Sequence, residues 1–137
     1  MKEEKFRRIT YDTTLAFAKA VLSANKAFTF CYVSGSHTDS SEKGKIMWAR
    51  VKGKTENDLA RLPFLSEYNF RPGVILPFAG QKNWKPIYKW LANVIRLVAP
   101  SKVLTIAEIG QAMVNVVATG YGRNVLEIED IKKLARR

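Results

Sequence analysis

Residues 28 to 33, Phe-Thr-Phe-Cys-Tyr-Val, are a run of aromatic and β-branched side chains that stops abruptly at Ser34-Gly35. Such a run predicts a buried strand, and its polar end predicts a loop that can present side chains to a ligand. A strand this apolar is expected to be covered on both faces and paired along both edges, as in a parallel α/β sheet. The flanking sequence agrees. Tyr11, Thr14, Leu15, Ala18, Val21 and Leu22 recur at steps of three and four, which predicts an amphipathic helix from Thr10 to about Ala24. Asn25-Lys26-Ala27 then turns into the strand.

Beyond the strand, Asp39-Ser40-Ser41-Glu42 offers an N-cap with a Glu three residues on, and predicts a helix from about Lys43 to Arg61. Trp48 and Lys52 are four apart on that helix and share a face. Leu62-Pro63-Phe64 stops it, and a short strand near 67 to 71 is expected to lie parallel to the first, joined by the crossover helix. Both strands then end at one edge. Ligands of open α/β sheets sit beyond the carboxyl ends of the strands, so Ser34, Gly35 and Arg71 to Gly73 are expected to converge there. On the local sequence alone, a simple turn at Pro72-Gly73 is the better reading.

The remainder continues the helix and strand grammar. Val74 to Pro77 follows the turn, and residues 80 to 83 read as loop. Trp84 to Val98 reads as a helix with Pro86 in its first turn, rich in aromatics at one end, a core or interface helix or one lying on a membrane surface with Lys89 and Arg96 toward headgroups. Thr105 to Glu108 is a capping box, followed by Ile109, Met113, Val116 and Val117 at helical spacing and by Gly120 as terminator. A short strand at 125 to 128 and a terminal helix from Glu129 to Arg137 complete the reading. Gly120-Tyr121-Gly122 follows a helix and lacks a third glycine, so it is no dinucleotide fingerprint.

Composition narrows the function classes. One hundred and thirty-seven residues, 47% hydrophobic, suit a single domain spanning 1–137. Cys31 is the single cysteine, which excludes an internal disulfide framework and a Cys-based zinc cluster. Its place in the apolar run suggests core packing. His37, the single histidine, sits in a polar loop and reads as a surface residue; no metal site is expected. The formal charge of +11 is spread along the whole chain, without a basic arm or a recognition motif, which argues against specific nucleic-acid binding. The basic start, Met1 to Arg8, is followed by no apolar stretch, and no apolar run reaches transmembrane length. The expected location is the cytoplasm.

The strand ending in Ser34, the helix with an aromatic residue four before Lys52, and the words Tyr32-Val33-Ser34-Gly35, Ala49 to Glu56 and Phe70 to Ile75 resemble the short-chain dehydrogenase/reductase superfamily. The resemblance is to its atypical, extended, NAD-dependent epimerase/dehydratase-like branch, and to the carboxyl-terminal half alone. It implies a partial Rossmann-like parallel sheet with flanking helices, lacking the amino-terminal dinucleotide-binding half. It also implies Ser34 and Lys52 as catalytic residues, with Ser36 as a substitute for Ser34, and Lys52, Arg71, Pro72 and Gly73 as contacts for NAD or NADP. In the family a Tyr phenol exchanges a proton with substrate, the Lys lowers that phenol's pKa and holds the ribose, and the Ser binds the substrate oxygen. Trp48 stands at the Tyr position, and indole has no proton to exchange near neutral pH.

The resemblance therefore implies an NAD(P)-dependent oxidoreductase or epimerase-like protein, impaired or inactive as an isolated chain. A separately encoded amino-terminal half, or a homo-oligomer covering the strand edge, are the partners it calls for. The competing class is a non-enzymatic oligomeric binding or scaffold protein. A weaker alternative is membrane-surface contact through residues 84–98.

Overall fold

The computed structural model describes residues 1–76, 94, 95, 97 and 99–137. The chain is mixed α/β, with a small parallel sheet of three strands and flanking helices, and its described residues divide into two compact units. The first comprises Met1–Arg71 and Arg123–Val125, the second Pro72–Gly122 and Leu126–Arg137.

The first unit opens with α1 (Glu3–Arg7), a π-helical turn (Arg8–Asp12) and α2 (Thr13–Ala24), each running into the next without leaving helical backbone. The helix expected from Thr10 thus begins seven residues earlier, at Glu3. Glu3 and Glu4 lie in its first turn, where carboxylates favour the helix dipole, although no apolar periodicity marks the segment. Leu15, Ala18 and Leu22 are buried at steps of three and four. Leu15 and Ala18 meet Leu59 in a core that Tyr11, Phe30, Tyr32, Leu62 and Phe64 close.

Strand β1 (Thr29–Val33) lies parallel to β2 (Ser66–Phe70), with Thr29 opposite Ser66 and Val33 opposite Phe70. The crossover helix α3 (Met47–Leu59) joins them. A third strand, β5 (Val125–Leu126), takes the far side of β2, and the Asn69 N–H donates to the Asn124 carbonyl at 2.8 Å. The order β1-β2-β5 reverses one expectation. The apolar run was expected in the middle of a fully covered sheet, yet among the described residues β1 is an edge strand, half-buried at 29–32 and exposed at Val33. The buried central strand is β2, where Glu67, Tyr68, Asn69 and Phe70 are all inaccessible. Position in the sheet, which local apolarity does not encode, makes the difference.

The start of α3 also departs from expectation. Asp39 does not cap it; its carboxylate accepts the backbone N–H of Ser41 and of Gly44 and the Ser41 hydroxyl, closing a tight loop. Glu42 sits in the left-handed region at φ 61 within that loop, so it cannot serve as the third residue of a helix. The helix starts four residues later than expected, at Met47, after Ile46 in extended conformation.

In the second unit β3 (Val74–Leu76) pairs parallel with β4 (Val103–Thr105), which follows a 3₁₀ turn at Pro100–Lys102. Helix α4 (Ile106–Thr119) begins with the expected capping box: Thr105 Oγ1 accepts the Glu108 N–H at 3.1 Å, and Glu108 Oε2 accepts the Thr105 N–H at 2.7 Å. It ends at Gly120, whose φ of 67 is readily available to glycine. Ile109, Ala112 and Val116 are its buried residues, whereas Val117, which shares the helical spacing, is 55% exposed. Helix α5 (Ile128–Ala135) packs on α4 with Ile131 and Leu134 buried.

The helix expected at 84–98 falls outside the described residues apart from 94, 95 and 97, and the loop expected at 80–83 falls outside them entirely. No helix among the described residues is long and apolar enough to cross a membrane.

Candidate functional site

The carboxyl end of β1 meets α3 at Ser34. Its N–H donates to the Phe70 carbonyl at 2.8 Å, extending the parallel ladder one residue past each strand. Its hydroxyl donates to Glu56 Oε1 and lies 3.3 Å from the same Phe70 carbonyl. Ser34 is 6% exposed and Glu56 2% exposed, so this bond is sealed from water. Glu56 is charge-paired with Arg71, the residue after β2: Nε donates to Oε1 at 3.0 Å and a terminal nitrogen donates to Oε2. The second contact makes the pair bidentate, the strongest geometry for guanidinium and carboxylate. The same guanidinium reaches Ser40 Oγ at 2.6 Å.

Trp48, Lys52 and Glu56 are spaced four apart on α3 and so face the same way. Lys52 Nζ donates to the Ser34 carbonyl at 2.6 Å. Burial draws the Lys52 pKa below the usual lysine value, and the Glu56 charge opposes that shift. Trp48 covers Gly35: a methyl group built on that glycine would meet the indole at 3.7 Å, ordinary van der Waals contact. The indole remains 37% exposed and is not a core residue.

The structure therefore brings Ser34, Lys52 and Trp48 together, and joins Arg71 to them through Glu56. Their chemistry differs from what the resemblance implied. The Ser34 hydroxyl is turned into the protein toward a carboxylate, and Arg71 is committed to that same carboxylate. Ser36, the substitute for Ser34, has its hydroxyl 3.0 Å from Nδ1 of the exposed His37. Pro72 and Gly73 belong to the second unit. There Gly73 sits so near the Lys102 carbonyl that a Cβ would lie 2.6 Å from it. Among the described residues no group of three or more His, Cys, Asp or Glu side chains is arranged to hold a metal ion.

Sequence reasoning missed Glu56, the hub of this network. Its signal was available, because Glu56 continues the four-residue spacing of Trp48 and Lys52. It also missed Glu67, 4% exposed within β2. Burial first, and then the Glu56 charge, push the Glu67 carboxyl up to about 7, moderated by the Asn69 and Asn124 side chains. Burial likewise pushes the Tyr32 phenol up to about 12 and the half-buried Cys31 thiol up to about 11, with smaller contributions from Glu56 and Glu67 respectively. Neither Tyr32 nor Cys31 ionises at neutral pH.

In chemical terms the site offers one partly desolvated ammonium beside an exposed indole and the half-buried Gly35. Ser34, whose hydroxyl already serves Glu56, and Trp48, which has no acidic proton, are not placed to exchange a proton with a bound molecule.

No family model matches the chain. The chain is similar to protein FMP52-2, mitochondrial, of Scheffersomyces stipitis, at 37% identity over 73 residues, which is 53% of this chain and 31% of that protein. The chain thus matches about a third of the length of this curated relative. Two expectations are corrected by these findings. The assignment to the epimerase/dehydratase-like branch of the short-chain dehydrogenase/reductase superfamily is overturned, since no family model supports it and the similarity extends over half the chain to a protein of another name. The short words that carried it include Trp48 in place of the defining Tyr. The cytoplasmic location is overturned as well, because the relative is a mitochondrial protein by name.

Proposed function

We propose that this chain is an NAD(P)-dependent oxidoreductase-like protein, impaired in catalysis on its own, and that it works in mitochondria. The observation that carries the reading is Lys52, an ammonium held at the carboxyl end of a parallel strand, where open α/β sheets bind their ligands. An ammonium has three donors, and the bond to the Ser34 carbonyl uses one. The others suit the hydroxyls of a ribose. Trp48 supplies an apolar face next to Gly35. The mitochondrial setting rests on the name of the relative.

These residues suit a nicotinamide dinucleotide in binding and not in proton transfer. When bound, the dinucleotide supplies hydride chemistry. Lys52 would hold and orient it, while Ser34 stays bonded to Glu56 and contributes structure. The same closure of Ser34 favours a second reading, a non-enzymatic oligomeric binding or scaffold protein, since a site whose Ser34 takes no part in chemistry can still recognise a ligand.

Titration of the purified chain with NADH and with NADPH, followed by nicotinamide fluorescence, separates the two. Saturable binding lost in Lys52→Ala supports the dinucleotide reading. Absence of binding by the folded chain overturns it for the isolated chain and leaves the binding or scaffold protein.

A further inference from the structure

Three side chains on neighbouring rungs of β1 and β2 carry oxygen atoms that are buried without a hydrogen bond of ordinary geometry among the described residues. They are the Tyr32 hydroxyl, both carboxylate oxygens of Glu67 and Asn69 Oδ1. The parallel register sets Tyr32 opposite Asn69, and Glu67 opposite Phe30. Glu67 is 4% exposed and Asn69 2% exposed, so bulk water does not relieve them. A buried charged acceptor left in this state costs more than a neutral one. The groups acting on Glu67 are Glu56 from α3, Asn69 from β2 and Asn124 beside β5, and Glu67 in turn acts on the Cys31 thiol of β1. None of these is a cation. Arg71, which would be the natural partner for a second carboxylate, already forms its bidentate pair with Glu56.

Ionised Glu67 and Asn69 Oδ1 are acceptors only, and the buried Tyr32 hydroxyl donates to neither, so neither acceptor has a donor of ordinary geometry. A carboxylic acid proton is the smallest change that supplies one. We propose that Glu67 is retained as a neutral, protonated carboxylic acid in the folded protein, and that release of its proton weakens the first unit, making it a proton-sensitive switch behind the Ser34–Glu56–Arg71 network. Deprotonation places a second buried negative charge near Glu56, with no cation among the described residues acting to balance it.

The direction of the effect follows from the proton inventory of the two states. In the unfolded chain a glutamate ionises near its ordinary 4.5, and in the fold this one ionises at about 7. Between those values the folded state holds a proton that the unfolded state has lost, so stability falls as pH rises through the window and levels off above about 7. Asp39 and Asp58 have carboxyls held below their ordinary value, so they lose stability only on the acid side and leave this window clear.

The test is thermal unfolding of the intact chain and of Glu67→Gln, which keeps the shape and supplies a permanent donor, from about pH 5 to about pH 8.5. The wild-type melting temperature is expected to fall across the window and the variant's to stay level, with the variant more stable at the alkaline end. A fall that persists undiminished in Glu67→Gln, or a wild-type curve with no fall, overturns the proposal. Infrared spectroscopy of the wild type is the independent readout should the variant not fold. The carbonyl band of a protonated carboxylic acid is expected below neutrality and should vanish as pH passes about 7; a spectrum without that band at pH 6 overturns the proposal too.

Discussion

The Ser34 hydroxyl donates to the buried carboxylate of Glu56, twenty-two residues further along the chain. That single bond ties the end of β1 to α3, and because Glu56 also holds Arg71, it ties both strand ends to one helix. The carboxylate is therefore the element on which the geometry of the site depends.

Removing Glu56 should cost much more than removing Ser34. Glu56→Ala leaves a guanidinium with 11% side-chain exposure and no carboxylate at this position. The expected loss is about 3 to 5 kcal/mol, against about 1.5 to 3 kcal/mol for Ser34→Ala, which deletes one hydrogen bond to a charged group. Urea denaturation of the two variants compares them. A Ser34→Ala variant less stable than Glu56→Ala would show that the carboxylate is not the hub.

Gly53 lets the 38–44 loop lie against α3. A Cβ on Gly53 would be 1.8 Å from the Asp39 carbonyl oxygen and 2.5 Å from its carbon, both backbone atoms that cannot swing aside. Gly53→Ala should therefore destabilise the first unit, although alanine is the better helix former by about 1 kcal/mol. Gly110, within α4, has nothing near its Cβ position, so Gly110→Ala should stabilise. Opposite signs for the two substitutions in thermal melts are the expected result.

Loss of the α4 cap should be felt in the second unit. Thr105→Ala removes the acceptor for the Glu108 N–H and half of the capping box. A cost of about 0.5 to 2 kcal/mol is expected, with faster amide exchange in the first turn of the helix. Thr105→Ser, which keeps the oxygen, should retain most of the stability.

Cys31 should alkylate slowly in the native protein. Its thiol is held protonated up to about 11, so the reactive thiolate is scarce at pH 8. Iodoacetamide labelling followed by mass spectrometry reads one site, since the chain has a single cysteine. Labelling in denaturant, where the thiol regains its ordinary pKa, should be at least tenfold faster. Native labelling at the denatured rate would place the thiol in water.

Much of the local structure was legible because local rules govern it. The strand at 29–33 follows from its β-branched and aromatic run, the parallel partner at 66–70 from the length of the crossover, and the start of α4 from Thr105 and Glu108. The start of α3 was misread for an equally local reason with another outcome: Asp39 had both a helix and a tight loop to cap, and it caps the loop. For the site, spacing put Trp48 and Lys52 on one face, and the structure sets both against Ser34-Gly35.

By itself, then, the sequence determined where most of the helices and the two main strands lie, that those two strands run parallel, and that Trp48 and Lys52 share a face of α3. Those properties depend on residue type and on fixed periodicities of the backbone. The tertiary structure alone decided that β2 and not β1 is the buried strand, that Ser34 turns inward to Glu56, and that Glu67 is sealed beside the charge of Glu56. These depend on distances between residues far apart in the chain, and the energies of burial and charge pairing exist only once the chain has folded.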